Sequence, residues 1–150
     1  VEISSDFKEL LQTFNDANVR YLIVGAHAVG YHGHPRGTRD FDIWVDHSPE
    51  NAKHVFEALA TFGAPLSQTT AEDFTGDDLI FQIGIEPVRV DVMTSISGVE
   101  FADAWPKRIE DELDGIPVAY IGKDDLVRNK RATGRHRDLA DVEELLKSGE

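Results

Sequence analysis

The sequence predicts an α+β fold: one mixed sheet of about five strands, with helices packed on it. Three observations predict it. Short β-branched runs, among them "DFDIWV" and "VRVDVMT", recur along the chain. Apolar residues at helical spacing open and close it. Asp114-Gly115, between "RIEDEL" and "IPVAYI", is the strongest short hairpin signal.

The elements follow in order. Phe7, Leu10, Leu11 and Phe14 recur at i, i+3, i+4 and i+7, with Asp6 and Glu9 spaced like a capping box. "VRYLIVG" reads as a short buried strand ending at Gly25, and residues 26 to about 32 as one or two helical turns. "DFDIWV" is the next strand. Ser48-Pro49 opens a helix whose stripe is Ala52, Val55, Phe56 and Leu59, ending at Gly63. "PLSQTTAEDFTGDD" is polar and irregular, so a loop. "LIFQIG" and "VRVDVMT" form a hairpin across "IEP", and "RIEDEL" and "IPVAYI" a second. From Lys123 the pattern is helical again, with Leu139, Val142, Leu145 and Leu146 as the last stripe.

A chain of 150 residues fits one domain, 1–150, with a core over 20–95 and a C-terminal hairpin and helices over 107–147. No stretch has the roughly 18 to 20 apolar residues of a membrane span, and the start is no signal peptide. That start lacks Met and reads as processed or trimmed. With no cysteine, disulfides and zinc–sulfur sites are excluded, which suits a cytoplasmic protein. The net charge of −13 argues against broad binding to nucleic acid. Yet Arg128, Lys130, Arg131, Arg135 and Arg137 fall in a stretch without acids. That run is either a patch for a small polyanion such as a nucleoside triphosphate, or a solvated surface.

The chemistry concentrates in "VGAHAVGYHGHPRGTRDFDIWVD". Alternation along a strand points Asp40, Asp42 and Trp44 one way and Phe41, Ile43 and Val45 the other. The two carboxylates are then about 7 Å apart along the strand. In "VRVDVMT", Val88, Val90 and Val92 make a core face, while Arg89, Asp91 and Met93 share the opposite one. If the two strands are neighbours, Asp91 joins the pair. Three converging acids repel each other unless a cation neutralises them, and hard Mg²⁺ or Mn²⁺ prefers such oxygen ligands. The plainer alternative is that Asp40 caps a turn, Asp42 is solvated and Asp91 pairs with Arg89.

These residues resemble small nucleotidyltransferases of the DNA polymerase β superfamily. The shared signature is a hydrophobic residue, Gly, a small residue, a gap, and D-x-D in a strand. Here it is Val24-Gly25-Ala26, a gap from His27 to Arg39, and Asp40-Phe41-Asp42, with "VDV" around Asp91 as the third element. The inner pattern is especially similar to bacterial nucleotidyltransferases of abortive-infection and toxin–antitoxin systems. "NKRATGRHRDLADV" resembles their later Lys and Arg-Asp-Leu-x-Asp elements, pointing to Lys130 and Asp138.

The resemblance implies a polymerase β-like fold and transfer of NMP from an NTP, ATP first among them, to a hydroxyl with release of pyrophosphate. Asp40 and Asp42 would bind two Mg²⁺ ions. Asp91 would bind the ion that activates the acceptor and act as general base. Gly25 and the Ala26 amide would approach the phosphates, and Lys130 would neutralise triphosphate charge. The family's second small residue is usually Gly or Ser, so Ala26 removes a hydroxyl that could touch phosphate. The acceptor would be a protein, an RNA 3′ end or a small hydroxyl compound, and a cognate toxin or antitoxin would be a partner.

Around this core, Arg36 and Arg39 hold phosphate, brace the carboxylates or make surface ion pairs, and Thr38 bonds the Asp40 loop. His32 and His34 shape the loop before Pro35 rather than bind metal. Asp138 orients Lys130 or Arg135, or caps the last helix. Trp44 and Trp105 are packing residues. Two competing functions remain at this stage. One is a catalytically inactive binding or antitoxin module on the same fold, and the other a plain α+β domain whose acids do not converge.

Overall fold

The computed structural model describes residues 3–33, 40–85 and 88–147. The first helix, α1 (Ser5–Asp16), buries Phe7, Leu10, Leu11 and Phe14 completely, as their spacing requires. Its start differs from the expected one. Ser4 is the N-cap, its hydroxyl accepting from the Phe7 amide at 3.2 Å, and Asp6 already lies inside the first turn. There its charge complements the positive helix end without capping it.

Strand β1 (Tyr21–Val24) is fully buried and runs straight into α2 (Gly25–His32). Strand β2 (Asp40–Val45) leads to α3 (Pro49–Phe62), which Ser48 caps and Gly63 ends at φ 99°. The stretch expected to be only loop contains a 3₁₀ turn, Ala71–Thr75, held by reciprocal bonds between Thr70 and Asp73. The turn seats Phe74 in the core against Phe81. One aromatic among polar residues has no period, so the sequence pattern passes over it.

Strands β3 (Ile80–Ile85) and β4 (Val88–Met93) pair antiparallel, as do β5 (Ile109–Leu113) and β6 (Ile116–Tyr120). Between the latter, Asp114 and Gly115 take φ 52° and 84°, the two positive values a tight hairpin turn demands. A short helix, α4 (Phe101–Ala104), precedes this hairpin, and α5 (Lys123–Thr133) and α6 (His136–Lys147) follow it.

The described residues form six strands, where about five were expected, in one mixed sheet of order β3-β4-β2-β1-β6-β5. Strands β4 and β2 are parallel, β2 and β1 antiparallel, β1 and β6 parallel. On one face Phe41 meets Phe7 of α1, with ring centroids 4.0 Å apart. On the other, Trp44 meets Phe101 edge-on at 5.0 Å. The Phe41 face is thus covered along the strand, whereas the Trp44 face is covered toward Val45 and left more open toward Asp42 and Asp40. Among the described residues, no helix is long and apolar enough to cross a membrane.

The last helix overturns one expectation. Val142 and Leu145 are buried, but Leu139 and Leu146 are 45% and 54% exposed. The inward face is Asp138, Asp141, Val142 and Leu145, an equally good i, i+3, i+4, i+7 set. Two of its four members are acids, so hydrophobic counting selects the wrong stripe. Lys130 supplies what makes their burial affordable.

Candidate active site

Asp42 and Asp91 are direct register partners across the parallel β2–β4 pair, so their Cα atoms stand about 5 Å apart. Asp40 pairs in the same way with Arg89. Residues facing each other across a sheet share a face, so Asp40, Asp42, Arg89 and Asp91 occupy one side of it. The expectation that the acids come together on neighbouring strands therefore holds in the backbone register.

Gly25 lies at the end of β1, beside Asp42. Its φ of 70° is left-handed, and an added Cβ would stand 2.1 Å from Asp42 Oδ2. The glycine is thus required twice, by its own conformation and by the carboxylate against it. From Gly25 the chain turns into α2, whose first turn has no side-chain cap. Its leading amides, Ala26 among them, lack intrahelical acceptors.

Asp42 sits in an unfavourable field. Burial, then the charges of Asp91 and Asp40, push its carboxyl up to about 6, while Lys130 and Arg89 pull it down. Among the described residues, Arg89 lies beside the other two acids. Arg89 Nη2 is 3.8 Å from Asp40 Oδ2, and Arg89 Nε is 3.6 Å from Asp91 Oδ1. Both contacts exceed hydrogen-bond length. Asp91 Oδ1 is in fact buried without a hydrogen-bond partner. Among the described residues, no three His, Asp or Glu side chains are gathered into a ready metal cage. Like charges without an ion between them do not close up, and Arg89 lies among them. The donor set still fits a hard divalent cation: carboxylate oxygens, one of them buried and unsatisfied, beside an acid that resists ionising.

The basic run is mostly matched by acids. Lys130 Nζ lies 3.0 Å from Asp138 Oδ1 and 3.4 Å from Asp141 Oδ2, with its side chain only 10% exposed. Arg135 Nε adds a 2.7 Å bond to Asp138 Oδ2, and the Thr133 hydroxyl donates to the same oxygen. Burial alone would raise the Asp138 carboxyl, but the bonds from Thr133, Arg135 and Lys130 outweigh it. They hold it well below the usual carboxylate range. Arg128 and Lys107 likewise converge on buried Asp125, at 2.7 and 3.0 Å. Lys130 is therefore a fixed charge whose field reaches Asp42, already held by two acids. Asp138 does orient both Lys130 and Arg135.

His27 Nε2 lies 3.3 Å from the Tyr120 hydroxyl, and burial lowers its pKa to about 4. His32 Nε2 lies 2.7 Å from the Ile121 carbonyl oxygen, and burial lowers it too. Both are tied to the β6 end. Arg36, Thr38 and Arg39, with His34 and Pro35, lie outside the described residues. Asp141 closes the Arg-Asp-Leu-x-Asp element, but sequence reasoning gave it no role of its own, though the i, i+3 spacing from Asp138 was a usable signal. Exposed Gln82, opposite Asp91 on β3, was also missed, because only the strand register reveals it.

Residues 1–148 match the family described as "Nucleotidyltransferase of unknown function (DUF6036)". The chain belongs to this family. No protein of curated function matches it by sequence. Three solved structures share the fold. A candidate nucleotidyltransferase from Thermotoga maritima has a TM-score of 0.61 at 14% identity, over 94% of this chain and 90% of that one. The antibiotic-resistance factor ANT(2'')-Ia gives 0.61 at 13% identity, over 96% and 82%. The lincosamide antibiotic adenylyltransferase LnuA, with lincomycin bound, gives 0.58 at 15% identity, over 96% of both chains. At these identities the likeness is one of fold, and it agrees with the family: an α+β nucleotidyltransferase fold.

Proposed function

We propose that this chain is a Mg²⁺-dependent nucleotidyltransferase, with Mn²⁺ able to substitute, that moves NMP from an NTP to an acceptor hydroxyl. The carrying observation is the register of Asp42 with Asp91, Asp40 on the same face, and Gly25 leaving room for Asp42. Asp40, Asp42 and Asp91 would hold the divalent cation. When bound, that ion neutralises triphosphate charge and acidifies the acceptor hydroxyl.

The chain's own residues then do the rest. Gly25 and the free amides of the first turn of α2 receive phosphate oxygens. Lys130, fixed by Asp138 and Asp141, adds positive potential beside Asp42. Arg36 and Arg39 hold phosphate, and Thr38 positions the Asp40 loop. Asp91 Oδ1, which has no hydrogen bond to give up, takes the acceptor's proton. The acceptor oxygen bonds to the α-phosphorus, the bond to the β-phosphate oxygen breaks, and pyrophosphate leaves.

ATP is the first donor to test and a small hydroxyl compound the first acceptor, since LnuA is an adenylyltransferase of lincosamide antibiotics. A protein hydroxyl and an RNA 3′ end are the other acceptor arms. We place the activity in a toxin–antitoxin or phage-defence setting, on the sequence resemblance alone. The test is pyrophosphate release from each Mg-NTP with hydroxyl compounds, lysate proteins and tRNA, with Asp42→Ala as control. Release and label transfer by the wild type, falling to background in Asp42→Ala, are expected. No release with any acceptor, together with no Mg²⁺-dependent nucleotide binding by calorimetry, overturns this function. The inactive binding or antitoxin module would then stand.

A further inference from the structure

We infer that Arg89 is a resident cation of the acid face: it stands between Asp40 and Asp91 while no metal is bound, and it must leave before a divalent ion can take them. The inference rests on the metal-binding reading above and adds what sets the affinity.

Four observations carry it. The register puts Arg89 directly opposite Asp40 and two residues from Asp91, on the acid side of β4. Its guanidinium reaches both carboxylates, at 3.8 and 3.6 Å, so it stands among the groups a metal would need. Both contacts are looser than hydrogen bonds, unlike the bidentate fork of an arginine that braces a carboxylate permanently. Finally, there is room for it to leave. The Arg89 side chain is 52% exposed, and a Cβ added to Gly84, its partner on β3, would meet nothing within 4 Å.

Displacement then has a definite consequence. A divalent ion must break both pairs and tolerate a nearby positive charge until the guanidinium swings out. Arg89 therefore weakens metal binding while making the metal-free site tolerable. Two loose, partly exposed pairs and one unit charge together amount to roughly a tenfold effect on affinity.

The test is a Mn²⁺ titration of the full chain without nucleotide, followed by the spin resonance of free Mn²⁺ and by calorimetry. Arg89→Gln is expected to bind Mn²⁺ about tenfold more tightly than wild type, with Arg89→Lys between them. In thermal melts Arg89→Gln should be the less stable protein in EDTA, and should gain more than wild type from Mn²⁺. Equal or weaker binding by Arg89→Gln, where wild type binds, overturns the role of Arg89 and leaves the metal site standing. Absence of binding by wild type and both variants overturns the metal site itself, and this inference with it.

Discussion

Asp42 and Asp138 are both withdrawn from water, on elements that each touch α2, yet the fold treats them in opposite ways. Asp138 receives Lys130, Arg135 and Thr133 at hydrogen-bond distance and ionises more readily than a free carboxylate. Asp42 faces two other acids, and its carboxyl is pushed up to about 6. The difference begins in local geometry. Around α5 and α6 the chain places cations and acids three, eight and eleven residues apart, so short connections bring Arg135 and Lys130 onto Asp138 and Lys130 beside Asp141. On the sheet, Asp42 and Asp91 are brought together by strands from distant parts of the sequence, and Arg89 answers the Asp40–Asp91 side only loosely. Asp138 finds its close partners within its own cluster. The acid face leaves Asp91 Oδ1 without a hydrogen bond, which suits the metal site proposed above.

The sharpest way to break the comparison is to open the Asp138 cluster. Lys130→Met removes the buried cation that faces both Asp138 and Asp141, leaving Asp138 only Thr133 and the exposed Arg135, and should cost about 3–5 kcal/mol at pH 7 by denaturant titration. The pH dependence has a fixed sign. Asp138 is depressed in the folded state, so its contribution is present above its unfolded pKa and is lost as pH falls through the folded one. The deficit of Lys130→Met should therefore be largest near neutrality and shrink in acid. A loss below about 1 kcal/mol at pH 7 would mean that the cluster is no better satisfied than the acid face.

Opening the acid face should do the reverse. Asp42→Asn removes a carboxylate that the fold ionises reluctantly, and should stabilise the protein in EDTA by about 1–3 kcal/mol at pH 8. Its raised pKa means that the favourable contribution of protonated Asp42 is whole below the unfolded value of about 3.9. That contribution disappears as pH rises through about 6. Wild type and variant should accordingly converge below pH 4. A variant that is less stable at pH 8 would show that Asp42 is satisfied after all.

How much of this was legible in the sequence depends on the range of the interaction. Strand alternation sorted Asp40, Asp42 and Asp91 onto one face, and Val90 and Val92 of β4 onto the other, because period two is a local property. The Asp114-Gly115 turn and the Ser48 cap were legible for the same reason. The buried face of α6 was not. Two leucines competed with two aspartates for the inward position, and the winner was decided by Lys130 on another helix. The closeness of Gly25 to Asp42 was half legible: the glycine was marked as a site of close approach, but the group that approaches it is a carboxylate of this chain. Arg89 was seen to share a strand face with Asp91, but its reach to Asp40 required the strand register.

The smallest expected effect separates the two ways the Asp138 cluster could be held. Asp138 is bound by a buried partner, Lys130, and by Arg135, whose side chain is 75% exposed. If the cluster owed its strength to the number of partners, removing either cation would cost comparably. Burial argues otherwise. Water replaces an exposed guanidinium readily, and the Thr133 hydroxyl would still donate to the same oxygen that Arg135 leaves. Arg135→Ala should therefore cost only about 0.5–1 kcal/mol, and less at 1 M salt, where surface pairs are screened. Lys130→Met should keep most of its deficit in that salt, because its partners are shielded from the ions. Equal salt sensitivity in the two variants would place the strength of the cluster at the surface, and would erase the distinction between a buried, closed set of charges and an open one.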